Sequence, residues 1–174
     1  MSVRQVSVWR GAVTLVSGDE PELPREVSLL HYTPTRWLER TLDATVTGEA
    51  RLASVRHRWQ NSGSHYVAFL AAALRPGPGS ELRVRVGVGD PQVLEQIRDH
   101  EAGVVLDGLV EELACWSERP AGEIVVDHAV MHPVDTRDDA WCRAARLAAA
   151  LLRPGCERLD DAELEALGDL YLRR

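Results

Sequence analysis

The spacing of apolar residues along this chain switches repeatedly between two periods, and each switch marks an element boundary. Residues 3–16 are rich in Val with roughly alternating polarity, closed by Ser17-Gly18-Asp19, which predicts a strand broken near Gly11. After the Pro21 to Pro24 loop, Val27 to Tyr32 reads as a second short strand. Thr33-Pro34 has the form of a helix cap followed by Pro at the first helical position, so a short helix is expected over Thr35 to Leu42. Ala44 to Thr47, Leu52 to Trp59 and Tyr66 to Leu74 are separated by Gly48-Glu49 and by Asn61-Ser62-Gly63-Ser64, which predicts three strands in meander order. Beyond the loop Arg75-Pro76-Gly77-Pro78-Gly79, Glu81 to Val88 alternates cleanly, with Leu82, Val84, Val86 and Val88 inward and Glu81, Arg83 and Arg85 outward.

The period then becomes helical. Asp90-Pro91 offers a cap and a first-turn Pro. Val93, Leu94, Ile97, His100, Val104, Val105, Leu109, Val110 and Leu113 follow at helical spacing, so 91–117 is expected to be one long helix, or two with a joint near Gly103. A strand over 123–131 follows. Asp135 or Thr136 is expected to cap the next helix, 138–152, with Asp138 and Asp139 at its positive dipole end. The last helix, Asp160 to Leu172, carries Leu164, Leu167, Leu170 and Tyr171 along one side. From 43 to 152 the order β-β-β-β-α-β-α describes an α+β layer, a mainly antiparallel sheet with two helices on one face.

Composition changes this picture little; charge changes it more. A chain of 174 residues, 45% apolar and 27% charged, is expected to form one main globular domain with an appendage. No apolar run reaches the length of a membrane span and the first residues lack a signal-peptide core, so a cytoplasmic protein without membrane attachment is expected. Cys115, Cys142 and Cys156 lack metal-type spacing and read as reduced structural thiols. All 20 basic residues are Arg. The net charge of −7 argues against a general nucleic-acid binder. It is unevenly spread: residues 1–87 hold 11 Arg against 8 acids, residues 88–174 hold 9 against 19, so anion affinity belongs to the first half.

Several local sequences, in register with this order of elements, carry a resemblance. They are Gly63-Ser64-His65-Tyr66-Val67-Ala68 followed by Leu74-Arg75-Pro76-Gly77-Pro78-Gly79-Ser80; Val104-Val105-Leu106-Asp107-Gly108-Leu109; Ala121-Gly122-Glu123-Ile124-Val125-Val126-Asp127; and the turn His132-Pro133-Val134-Asp135-Thr136 that opens an Ala-rich helix with Trp141. Together they resemble domain IV of elongation factor G and the related ribosomal protection proteins, over about residues 41–152. The resemblance implies that fold, with a left-handed βαβ crossover from strand 81–88 to strand 123–131, an exception to the right-handed rule. It leaves 1–40 as an N-terminal strand extension packed on the main domain and 153–174 as a C-terminal amphipathic helix.

In that family two tip loops touch RNA or the tRNA–mRNA duplex at the decoding site of the small ribosomal subunit. The matching positions here are Asn61, Ser62, Gly63 and Ser64, and His132, Pro133, Val134 and Asp135. The span from Asp127 to His132 is shorter than the family's, which implies about 10 Å less reach at roughly 3.3 Å per strand residue. With no Lys in the chain there is no P-loop, so no nucleotide cofactor and no GTPase are expected.

The candidate residues have plainer readings too. Arg56 and Arg58 alternate with Val55, His57 and Trp59, so the two arginines share a strand face, and Trp59 beside them could stack on a base. Trp116 and Trp141 read as core. His128 and His132 with Asp127, Asp135 or Asp138 suggest a metal, but four strand residues separate the imidazoles by about 13 Å, so a sheet-face and a loop histidine are expected, and no metal. Cys142 paired with His132 suggests a nucleophile, yet its Ala-rich helix favours burial. The reading that emerges is a non-catalytic protein that engages the small ribosomal subunit or its RNA through Arg56, Arg58, Trp59, Asn61, Ser62, Ser64, His132 and Asp135. The alternative is a protein-interaction module that keeps the fold without RNA binding and dimerises through its C-terminal helix.

Overall fold

The computed structural model describes residues 2–9, 11–18, 21–61, 64–131 and 137–173, without the side chains of 58–61, 64–67 and 131. Within them the chain is α+β, with a mixed, mostly antiparallel open sheet and four α-helices. The strands are β1 (Ser2–Val8), β2 (Gly11–Ser17), β3 (Arg36–Asp43), β4 (Val46–Thr47), β5 (Arg51–Asn61), β6 (Ser64–Pro76), β7 (Glu81–Val88) and β8 (Pro120–Met131). The helices are α1 (Arg25–Ser28), α2 (Asp99–Ala114), α3 (Asp138–Leu152) and α4 (Asp161–Leu172). Spatial order is β1-β2-β5-β6-β8-β7-β3, with β4 beside β8. Only β7 and β4 run parallel to β8.

Strand alternation decides which face the helices cover. Ala53 and Val55 of β5, Leu70, Ala72 and Leu74 of β6, and Leu82, Val84 and Val86 of β7 all join one buried core with α2 and α3. Helix α3 lies over β5 and β6 and α2 over β7, while α4 packs against α3 and β1. Small residues set how closely α2 and α3 approach: a Cβ at Gly108 would lie 2.9 Å from the carbonyl oxygen of Cys142 and 3.1 Å from the Cβ of Ala145. Trp141 and Trp116 are buried in this core, as their positions in the sequence suggested.

The ends of these elements are tied by polar groups and by a close backbone approach. Arg51 is 5% exposed and donates to the carbonyl oxygen of Leu152 at the end of α3, 3.3 Å, with Glu157 3.1 Å away. Asp160 and Glu163 form a reciprocal capping box at the start of α4. Gly122 enters β8 at φ +137°, where a Cβ would meet the Arg75 carbonyl oxygen at 2.2 Å.

Five expectations are corrected. Residues 36–43 form an extended edge strand antiparallel to β7, with Leu38 opposite Val86 and Leu42 opposite Leu82, rather than a helix. Residues 25–28 form the one-turn α1, and of the strand expected over 27–32 only an isolated bridge, His31 to His128, is extended pairing. Helix α2 begins at Asp99, not 91. Asp90 accepts from the Gln92 amide, 2.9 Å, and Gly89 donates to the Ile97 carbonyl, 2.8 Å, closing a loop that buries Ile97 and leaves Leu94 exposed. The expected meander is interrupted: β5 and β6 pair as a hairpin, but β4 pairs in parallel with Pro120 and Ala121 of β8, and β8 lies between β6 and β7. The residue at the N-cap of α3 is Arg137, which makes no side-chain capping bond.

Candidate functional site

The pairing register places both expected tip connections at one end of the sheet. Strands β5 and β6 pair as a hairpin through Arg58 with Val67, Trp59 with Tyr66, Gln60 with His65 and Asn61 with Ser64. Strand β8 ends at Met131, opposite Ala68. The hairpin therefore continues four residues of β6 beyond the last β8 pair, about 13 Å at roughly 3.3 Å per residue. Ser62, His132 and Asp135 lie outside the described residues, and so do the side chains of Arg58, Trp59, Asn61 and Ser64.

Arg56 is described. It lies on β5 between Ala12 and Phe69, points to the face that the helices leave open, and is exposed. Among the described residues it makes no ion pair, in contrast to Arg85, which lies 3.7 Å from Glu39 and 3.6 Å from Glu123 and sits over the Trp37 ring at 4.3 Å.

A second polar cluster occupies β8. His128 Nδ1 is 2.6 Å from Asp127 Oδ1, and His31 Nε2 approaches Asp127 Oδ2 at 4.0 Å. The two rings meet edge to face with centroids 5.0 Å apart. Strand β7 stops pairing with β8 at Val126, and the segment arriving from α1 continues the edge. There the Tyr32 amide donates to the Asp127 carbonyl, 3.1 Å, and the Tyr32 hydroxyl donates to the Gly87 carbonyl, 2.7 Å. Burial acts to raise the Asp127 carboxyl. The hydrogen bond to His128, with the charges of His128, His31 and Arg75, outweighs it and holds the group below the ordinary carboxylate range.

No group of three or more His, Cys, Asp and Glu side chains suited to a metal ion occurs among the described residues. Cys142 is held in its thiol form by burial first and by Glu111 second, contrary to what a nucleophile requires. His31 carried no signal in the sequence, because its role depends on a segment that crosses the sheet. No helix is long and apolar enough to cross a membrane. In sequence, the chain matches no protein-family model and no curated protein.

Proposed function

We propose that this chain is a non-catalytic binding protein of the translation-factor domain IV type, which engages ribosomal RNA or a ribosome-associated partner through one end of its sheet. The observation that supports this reading is the register: the 61–64 and 131–137 connections leave the sheet at the same end, with the hairpin projecting beyond β8. Two loops at one end of the sheet can meet a single partner, and Arg56 supplies an exposed cation, with no ion pair among the described residues, on the strand that leads to them. The order β7-α2-β8-α3 and the parallel β7–β8 pair accord with the domain IV resemblance, which further implies a left-handed crossover.

The test is cosedimentation with purified small ribosomal subunits. The protein should pellet with them at low salt, weaken steeply toward physiological salt, and lose most of its binding in R56E/R58E. Retention in the supernatant at low salt, or pelleting indifferent to both salt and the double substitution, would contradict the reading.

A second reading, self-association through the C-terminal helix, is favoured by Leu170, which is 48% exposed on α4. Because Leu164 and Leu172 of that helix are already packed within the chain, such a dimer would rest on the outer side of α4 and should dissociate in L170E, without sensitivity to salt.

A further inference from the structure

The face of the sheet that α2, α3 and α4 leave open is crossed by the chain itself. Strand β2 ends at Ser17 and β3 begins at Arg36, with β5, β6, β8 and β7 between them in the sheet. The connecting segment therefore spans four strands. Where it passes over β5 and β6 it leaves a cleft of about 510 Å³, between Pro21, Leu23 and Ser28 on one side and Leu52, Ala71 and Ala73 on the other. The opening exists because the strand residues beneath it are small: alanine at 71 and 73 leaves room that a Val or Leu would fill. The volume falls within the range of small-molecule sites, about 300–1,000 Å³.

One end of the cleft is polar, and two carboxylates lie there. Asp127, His128, Glu22, Ser28 and Arg75 line it. Asp127 Oδ1 is taken by His128, but Oδ2 has no hydrogen-bond donor among the described residues, since His31 Nε2 stands 4.0 Å away. A carboxylate only accepts, so the proton between these two residues resides on Nδ1 of His128. The Ser28 hydroxyl donates to the Arg25 carbonyl, 2.8 Å, and its lone pairs remain free to accept. Arg75 is directed to Glu123 at 3.5 Å and is 58% exposed. Glu22 and Asp127 thus place two carboxylates beside an apolar floor.

We propose that this cleft is a binding site for a small organic ammonium ion: a primary amine on a compact apolar body, its N–H groups donated to Asp127 Oδ2 and its body laid on Ala71, Ala73 and Leu52. A carboxylate ligand would face Asp127 and Glu22 with only a neutralised Arg75 in return. A neutral alcohol has one donor for two acceptors. The site is separate from the 61–64 and 131–137 end of the sheet, and its occupation does not depend on RNA binding.

The experiment is an amide-resolved NMR titration of the full chain with three probes that share one apolar body: benzylamine, benzyl alcohol and phenylacetate. Benzylamine should give saturable shifts centred on Ala71, Ala73, Asp127 and His128, and bind more tightly than the alcohol, with phenylacetate weakest. D127N should weaken benzylamine by about tenfold or more, the scale of losing one charge-assisted hydrogen bond. A73L, which fills the floor while keeping every polar group, should abolish the shifts in a chain whose remaining spectrum is unchanged. Binding of phenylacetate as tight as benzylamine, no saturable shift at millimolar benzylamine, or shifts that survive A73L would each overturn the proposal. If D127N fails to fold, the probe ranking and A73L decide it alone.

Discussion

The two faces of the sheet solve different problems with the same strands. On the covered face, Val55, Leu70, Leu82, Val84 and Val86 meet Leu109, Leu147 and Leu151 from α2 and α3, and every one of these side chains is fully buried. On the other face the alternate positions of the same strands carry Arg56, Arg83 and Arg85 and the small residues Ala71 and Ala73, covered only in part by the segment between β2 and β3. The first face is apolar and tightly filled, which suits stability; the second keeps space and charge, which suits contact with something else. One strand sequence serves both because its period of two sends consecutive side chains in opposite directions.

That contrast can be broken at graded cost. The largest effect is expected from W141A, which opens a cavity at the centre of the covered face and should cost about 3–5 kcal/mol in chemical denaturation. G108V should cost about 1–3 kcal/mol, because the added carbons run into the α3 backbone at the Cys142 carbonyl and α2 must move off it. At Asp127 the expected effect is on pH dependence. Its carboxyl ionises below the ordinary value in the folded chain, so its stabilising contribution is complete above the unfolded value of about 3.9 and is lost as pH falls through the lower folded value. The stability difference between the native chain and D127N should therefore narrow on acidification below about pH 4, and a constant difference would contradict this. R83A, on the open face with no ion pair among the described residues, should change stability by less than about 0.5 kcal/mol. A large loss there would mean the open face also supports the fold.

What was readable in the sequence follows the same division. Strand β7 and helix α3 appear with the expected bounds, because one alternates apolar and polar residues without interruption and the other repeats small and apolar residues at helical spacing. Strand β3 was hidden because Thr33-Pro34 imitates a helix start and its residues are half-exposed on an edge. Only pairing with β7, about forty residues later in the chain, fixes it as extended. The stretch 91–98 carries apolar residues at helical spacing, but the Asp90 amide donates to Gln96 Oε1, 2.7 Å, and this bond and the Gly89–Ile97 closure hold it as a loop. Placement of β8 between β6 and β7 is a long-range choice that no local pattern encodes. The tip loops could be located from the turn residues that bound them, whereas the cleft could not, since it exists only where residues 21–28 pass over Ala71 and Ala73.

The claim that the open end of the sheet is the working end is tested most directly by amide hydrogen exchange of the full chain, alone and with small ribosomal subunits at low salt. The account predicts that added protection falls on residues 56–67 and 131–137 and leaves α2, α3 and α4 unchanged. Protection confined to 161–172, or no change anywhere in the chain, would contradict it.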